Sequence, residues 1–304
     1  MGSGGGGSTW SLVTGRTPDG AELVGALRAD GTVVAVPPLS AYAGLWPVFA
    51  AGVDLRAALD GFVPDPRAPA LDVRLLAPIR YPAKLLCAGA NYESHVREMT
   101  GKPTPAGARP WFFSVPPSTT IIGPDEAVLI PPEPDARVDW EAELAVVVGA
   151  PLRFAPPDQA LAGVAGYTIL NDVSARGLSR PAVPLAPAMS IDWVRSKAHD
   201  TFCPMGPGVT PAWLVPDPQV LTVRMWLNGE LMQDGSTSDM VFDVGTLLSA
   251  LSETVSLEAG DVVATGTPAG TGSATGRYLT AGDEVVIEIE GLGRLANPVR
   301  LVSR

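Results

Sequence analysis

Apolar stretches in this chain are short, rich in Val and Ile, and cut off by Gly, Pro or Asp before they reach the length of an ordinary helix. The interruptions are dense, with 33 glycines and 31 prolines in 304 residues. Segments such as 138–148, 164–170 and 285–289 read as strands joined by turns, with few helices between them. That pattern disfavours a parallel α/β sheet and predicts an α+β chain that is mostly β.

Local signals set the organisation. Asp30-Gly31 lies between two apolar runs, the dipeptide a tight hairpin prefers because Gly tolerates positive φ. A helix is expected over 54–60, with Asp54 capping its first amides and Gly61 ending it. Pro64, Pro66 and Pro69 then break regular structure, placing a boundary near residue 75 between a small N-terminal domain, 9–75, and a larger one, 76–304. Residues 1–8, MGSGGGGS, read as a flexible tail or appended linker, since they lack the apolar centre of a signal peptide. In 244–251, Val244, Leu247, Leu248 and Leu251 share one helical face behind a capping Asp243, and a second short helix is expected over 158–161. Leu257-Glu-Ala-Gly-Asp261 and Leu279-Thr-Ala-Gly-Asp283 are near-copies, each a turn feeding an apolar strand.

The formal charge of -11, with no cluster of Lys and Arg, argues against a nucleic-acid partner. No stretch approaches the roughly 20 apolar residues of a membrane span, and no targeting segment is recognisable, so a soluble, cytoplasmic protein is expected. Cys87 and Cys203 belong to no Cys-x-x-Cys pair and read as buried thiols in a reducing compartment. With only His95 and His199, a three-histidine zinc site is impossible; any metal must be held mostly by oxygen.

The segment Val138-Asp-Trp-Glu-Ala-Glu-Leu-Ala-Val-Val-Val148 carries the sharpest chemistry. A strand sends residues i and i+2 to one face, so Glu141 and Glu143 point together into an apolar run, where they repel unless a cation or protons compensate them. Spacing alone does not decide: Glu288 and Glu290 alternate with Val285, Ile287 and Ile289 in the manner of an ordinary strand with one wet face. Asp172, at the end of the 164–170 strand, offers a third carboxylate, or else caps a turn. Three carboxylates form a hard-oxygen site suited to Mg²⁺ or Mn²⁺, with Ca²⁺ as a substitute. His95 and Glu98, three apart on a helical turn, are either a base with its orienting carboxylate or a solvated surface pair. His199 reads as a surface residue, whereas Lys197 could neutralise charge developing beside a metal or bind a substrate carboxylate. Thr265-Gly-Thr-Pro-Ala-Gly-Thr-Gly272 follows an apolar strand and lacks the Gly-Lys-Ser/Thr ending of a phosphate loop; it reads as an anion-receiving loop or a tight turn.

Taken in order, CAGANYESHVRE, PPSTTIIGP, DWEAELAVVVG, AGYTILNDVSAR, RSKAHDTFCPMGP, LNGELMQDGSTSDMVF, LEAGDVVATGTPAG and AGDEVVIEIEGLG resemble the fumarylacetoacetate hydrolase superfamily over about residues 83–297. The likeness is to its bacterial acylpyruvate hydrolase, decarboxylase and isomerase branch. The resemblance implies a mixed β-roll, usually dimeric, preceded by a smaller and more variable N-terminal α+β domain. It implies metal ligands at Glu141, Glu143 and Asp172 for Mg²⁺ or Mn²⁺, a His95–Glu98 dyad on a lid-like segment, and an active-site Lys197. Substrate-contact positions fall on Arg176, Gln233, Gly266 and Thr267.

The implied activity is hydrolysis of a carbon–carbon bond in a small acylpyruvate-like 1,3-diketo acid through a metal-stabilised enolate. Decarboxylation, isomerisation or tautomerisation of a related 2-oxo acid needs the same enolate without attacking water. A non-catalytic metal-binding member is the reading of another class. Two positions depart from the family pattern: Val115 stands where a Lys often precedes the Pro-Pro pair, and Gly177 where an acidic residue usually follows Arg176. The Pro- and Ala-rich segment 178–193 also departs, which leaves the substrate open.

Overall fold

A computed structural model of the chain describes residues 9–302. Its centre is the antiparallel pair Ala142–Val148 and Val164–Asn171, in which every residue is buried. Leu144, Val146 and Val148 enter one apolar core, while Ala145 and Val147 enter a second on the opposite face. A strand covered on both faces cannot alternate apolar with polar residues, which is why this segment reads as a continuous apolar run.

The pair belongs to an 11-stranded sheet whose main path runs Val33–Ala35, Glu22–Arg28, Trp10–Arg16, Cys203–Pro211, Val164–Asn171, Ala142–Val148, Val262–Ala264, Leu85–Gly89 and Trp111–Ser114. Val262–Ala264 runs parallel to Leu85–Gly89 and most other neighbours are antiparallel, so the sheet is mixed. A second sheet orders Glu230–Ser236, Thr222–Leu227, Glu284–Ile289, Gly293–Leu301 and Val128–Ile130. Val223, Met225, Ile287 and Ile289 from this sheet pack with Leu144 and Val146 in one core. The fold is the expected mostly β architecture.

Before residue 75 lie the expected hairpin, with Leu27 paired to Val33 and Gly31 at φ +83°, and two short helices. Asp54 accepts the amides of Arg56 and Ala57 at 2.9 and 3.1 Å, but the helix it caps, Leu55–Ala58, is shorter than the 54–60 span expected. The helix Leu45–Ala50, interrupted in sequence by Pro47, was not foreseen. Strand Trp10–Arg16 joins the large sheet at Leu12↔Val209, and Leu12, Val24, Val48 and Phe49 share the second core with Leu85, Ala145, Val147 and Val262. Residues 1–8, read from sequence as a linker, lie outside the described residues.

The helix Val244–Thr254 is capped by Asp243, which accepts the Thr246 amide at 2.7 Å, and Pro157–Ala162 forms the other expected helix. The two LxAGD turns share one chemistry. Asp261 and Asp283 each accept the amide three residues back at 2.7 Å, and Gly260 and Gly282 supply φ of +88° and +98°. No helix among the described residues is long and apolar enough to cross a membrane.

Candidate metal and active site

Register delivers the carboxylates. Ala142 pairs with Asn171 and Glu143 with Leu170, which puts Asp172 across from Glu141; its amide donates to the Glu141 carbonyl at 2.9 Å. Alternation sends Glu141 and Glu143 to one side of their strand, and Asp172 meets them from the end of its own. Each offers an oxygen within 4.8 Å of the others, and all three side chains are buried.

Two cations close on this group. Lys197 Nζ lies 2.7 Å from Glu141 Oε2 and 2.7 Å from Asp172 Oδ2 and donates to the Asp172 carbonyl at 3.1 Å. It arrives on the helix Trp193–Lys197, whose first turn is capped by Asp192. Arg176 binds Glu141 Oε1 through Nη2 and Asp139 Oδ2 through Nε at 2.9 Å. Asp139, which the sequence reading did not single out, is fully buried and accepts the amides of Trp140, Gly272 and Ser273 at 2.8, 2.6 and 3.1 Å.

Four buried carboxylates therefore face two cations, leaving two negative charges where desolvation is costly. Burial pushes the Glu143 carboxyl well above its ordinary value, with Asp172 and Glu141 adding to the rise. Burial likewise lifts Asp172 to about 6, against the pull of Lys197. Burial also opposes ionisation of Glu141, but Arg176 and Lys197 outweigh it and hold that carboxyl at about 2. Asp172 Oδ1 is buried with no hydrogen-bond partner. An all-oxygen donor set, an orphaned carboxylate oxygen and a deficit of two positive charges fit one hard dication held by Glu141, Glu143 and Asp172.

His95 and Glu98 stand on the helix Glu93–Thr100, with Nδ1 2.9 Å from Glu98 Oε2. The pair is not a solvated surface pair: His95 is buried, and Glu98 also accepts the Gly270 amide at 2.8 Å and the Thr271 hydroxyl at 3.1 Å. Burial opposes ionisation of Glu98, but these bonds, His95 foremost, outweigh it and hold the carboxyl below its ordinary range.

The Gly-rich loop binds anions, and they are the protein's own. Gly266 donates to Glu143 Oε2 at 2.7 Å, Gly270 to Glu98, and Gly272 and Ser273 to Asp139. One stretch of backbone thus ties the triad to the dyad. Gln233 and Thr267 brace the same junction: Gln233 accepts the Ala142 amide at 3.0 Å and donates to Thr267 Oγ1 and the Pro268 carbonyl, both at 2.8 Å, while Thr267 donates to the Ala142 carbonyl at 2.9 Å. Asn171, in the NDVSAR segment, fixes Glu141 by accepting its amide at 3.0 Å.

The structure gives a reason for each departure, desolvation of a charge at Val115 and a steric clash at Gly177. Val115 is buried in the second core, and a Cβ on Gly177 would lie 1.6 Å from the Asp135 carbonyl oxygen. His199 lies away from the triad's contacts, bonded to the Arg195 carbonyl at 2.8 Å and packed on Phe202. Glu288 and Glu290 are exposed, as an ordinary wet strand face requires. Cys87 and Cys203 are free and buried. A cavity of about 930 Å³ opens elsewhere, between Trp10, Arg28, Arg224 and Arg294, and none of the triad or dyad residues lines it.

A mostly β fold that buries an acidic triad able to hold a metal ion, beside a buried His–Glu pair, defines the class to which the chain is similar. The chain belongs to the fumarylacetoacetate hydrolase C-terminal domain family, whose model matches residues 84–300. It is 40% identical over 236 residues to the mitochondrial oxaloacetate tautomerase FAHD2B of Bos taurus, covering 77% of this chain and 72% of that one. Among solved structures, the fumarylacetoacetate hydrolase of Exiguobacterium antarcticum is 35% identical with a TM-score of 0.79, covering 97% of this chain and all of that one. The maleylpyruvate hydrolase of Sphingobium sp. SYK-6, solved with manganese(II) and pyruvate, is 27% identical with a TM-score of 0.74, covering 96% of this chain and all of that one.

Proposed function

We propose that the protein hydrolyses a carbon–carbon bond in a small acylpyruvate-like 1,3-diketo acid with Mg²⁺ or Mn²⁺ bound at Glu141, Glu143 and Asp172. The observation that carries this reading is the buried His95–Glu98 pair tied by the Gly270 amide to the loop that also holds Glu143. A base in that position is what hydrolysis needs and simple chelation does not. The similar maleylpyruvate hydrolase, solved with manganese and pyruvate, supports a metal and a site that takes a three-carbon oxo acid.

A dication held by Glu141, Glu143 and Asp172 would supply Lewis-acid polarisation of the substrate's 2-oxo acid end. With Nδ1–H held by Glu98, the Nε2 lone pair of His95 accepts a proton from water, and the hydroxide equivalent adds to the distal carbonyl. The bond to the pyruvate unit breaks, its electron pair leaves with the three-carbon fragment, and that fragment takes up a proton to become pyruvate; the acyl part departs as a carboxylic acid. Lys197 and Arg176 keep Glu141 ionised throughout, and Gln233 with Thr267 holds the strand entrance and loop in register. A base positioned in this way contributes roughly 10²–10⁴-fold. The same reading has the protein working as a homodimer, which sedimentation equilibrium checks.

A second reading, tautomerisation of an oxaloacetate-like acid, is favoured by the 40% identity to oxaloacetate tautomerase. It uses His95 to move a proton between carbon and oxygen with no water added. Incubating metal-loaded protein with acetylpyruvate and with enol-oxaloacetate separates the two. Release of pyruvate and acetate supports hydrolysis, whereas loss of enol absorbance from oxaloacetate alone supports tautomerisation.

A further inference from the structure

Beside the carboxylate group stands an aromatic cluster that the proposed chemistry leaves unused. Phe113 places its ring 5.4 Å from Lys197 Nζ, the ammonium that binds Glu141 and Asp172. Trp193 stacks on Phe113 with ring centroids 5.1 Å apart and planes 20° off parallel, and Trp111 meets Trp193 at 4.8 Å. Phe113 and Trp193 are partly buried, while Trp111 keeps 47% of its surface exposed. Trp111 is fixed from behind: it pairs with Gly89, where a Cβ would come within 2.5 Å of the indole.

The chain that leads to Trp193 also exposes apolar side chains. Val183 and Leu185 are 85% and 95% exposed, and Val194 follows Trp193 at 70%. Asp192 is engaged in capping the helix that carries Trp193, and the exposed arginines nearest the rings in sequence are Arg109, Arg180 and Arg195. The strand Trp111–Ser114 carries no charge. The ring faces themselves offer a carboxylate nothing to replace its hydration, whereas a flat apolar group stacks on them.

We infer that Trp111, Phe113 and Trp193 receive the distal acyl group of the substrate, so that the preferred oxo acid carries an aromatic or planar apolar tail rather than a second carboxylate. The inference rests on the reading that the triad receives the 2-oxo acid head. It makes the three rings specificity determinants one side chain beyond Lys197.

The test compares two acids that share a head and differ in the tail: 4-phenyl-2-oxobutanoate and 2-oxoglutarate, titrated calorimetrically into Mn²⁺-loaded full-length protein. The phenyl acid is expected to bind at least tenfold more tightly and to shift tryptophan fluorescence. Trp193→Ala is expected to weaken the phenyl acid about tenfold and 2-oxoglutarate less than threefold. Trp111→Ala, on a strand remote in sequence from the Lys197 helix, should change the ratio in the same direction, and Trp193→Phe should restore most of it. Equal or tighter binding of 2-oxoglutarate overturns the inference, as does an equal effect of the substitutions on both acids. A change of sedimenting mass with the preference intact overturns it too, assigning the rings to contact between copies. If neither acid binds, tail and head readings fall together. Cleavage of acetylpyruvate without any phenyl preference sinks the tail alone, and a phenyl preference without cleavage sinks only the hydrolytic reading.

Discussion

Gly266 holds Glu143: its backbone amide lies 2.7 Å from Oε2, at the head of a loop whose later amides hold Glu98 and Asp139. The position requires glycine, with φ at +92° and a Cβ that would meet Asn91 Cβ at 2.9 Å. Gly266→Ala is expected to move the amide off Glu143 and lower Mn²⁺ affinity roughly tenfold or more, the scale of one hydrogen bond to a charged group. Calorimetry on the variant checks this; unchanged affinity would show that the loop does not position the ligand.

Glu98→Gln replaces the acceptor that fixes the His95 proton on Nδ1. Turnover is expected to fall about 10²–10³-fold with Mn²⁺ affinity unchanged, because Glu98 touches the dyad and loop but no triad carboxylate. Metal affinity and kcat measured on one preparation separate the two effects.

The lowered Glu98 carboxyl also sets a pH window. A depressed folded-state value means the pairing contributes its full stability above the ordinary 4.5 and loses it only as pH falls through the lowered value. Between neutrality and pH 5, amide exchange over residues 93–100 should therefore not gain from Glu98 protonation, while Glu98→Gln should lose the acid-dependent part of that protection. Exchange measured with the two proteins at pH 5 and pH 3 tests it.

In metal-free protein the triad works against the fold. Glu143 is raised by burial and by two neighbouring carboxylates, so at neutral pH this carboxyl costs the fold stability, either as a buried charge or through the proton it must take up, and Glu143→Gln removes that cost. Chelator-treated Glu143→Gln at pH 7 is expected to melt higher than the chelated parent by roughly 2–4 °C, the shift that about 1 kcal/mol gives in a large domain. In excess Mn²⁺ the order should reverse. Scanning calorimetry in both conditions reads the crossing.

Gly177→Asp restores the residue type expected from the family pattern and should be harmful. Its Cβ would sit 1.6 Å from the Asp135 carbonyl oxygen, and the neighbouring Arg176 holds Asp139 and Glu141. A loss of about 1–3 kcal/mol is expected, with weaker metal binding as Arg176 shifts. Urea unfolding of the variant measures it.

Much of this was legible in the chain. Turns and caps follow from single residues, so Asp30-Gly31, Asp54, Asp243 and the two LxAGD turns stand where local chemistry puts them. Glu141, Glu143 and Asp172 were readable as a group because carboxylates interrupting apolar strands need a compensating charge. The anion-binding character of the Gly-rich loop was visible too, but its partners were not, since Glu98, Asp139 and Glu143 reach it from 123 or more positions away for Glu143 and further for the others. Asp139 carries a signal of its own, a third acid in VDWEAE, but its partners Arg176, Gly272 and Ser273 come to it only in the fold. The helix Leu45–Ala50 was hidden by Pro47, and the ring cluster by sequence distance, since Trp111 and Trp193 meet only through tertiary packing.

The most direct test of the central claim is Mn²⁺ binding to metal-stripped protein, followed by calorimetry and electron paramagnetic resonance. One Mn²⁺ per chain is expected, with Glu143→Gln and Asp172→Asn each weakening it by at least tenfold. Binding that neither substitution alters, or no binding by the folded parent protein, would contradict the assignment of Glu141, Glu143 and Asp172 as a shared cation site.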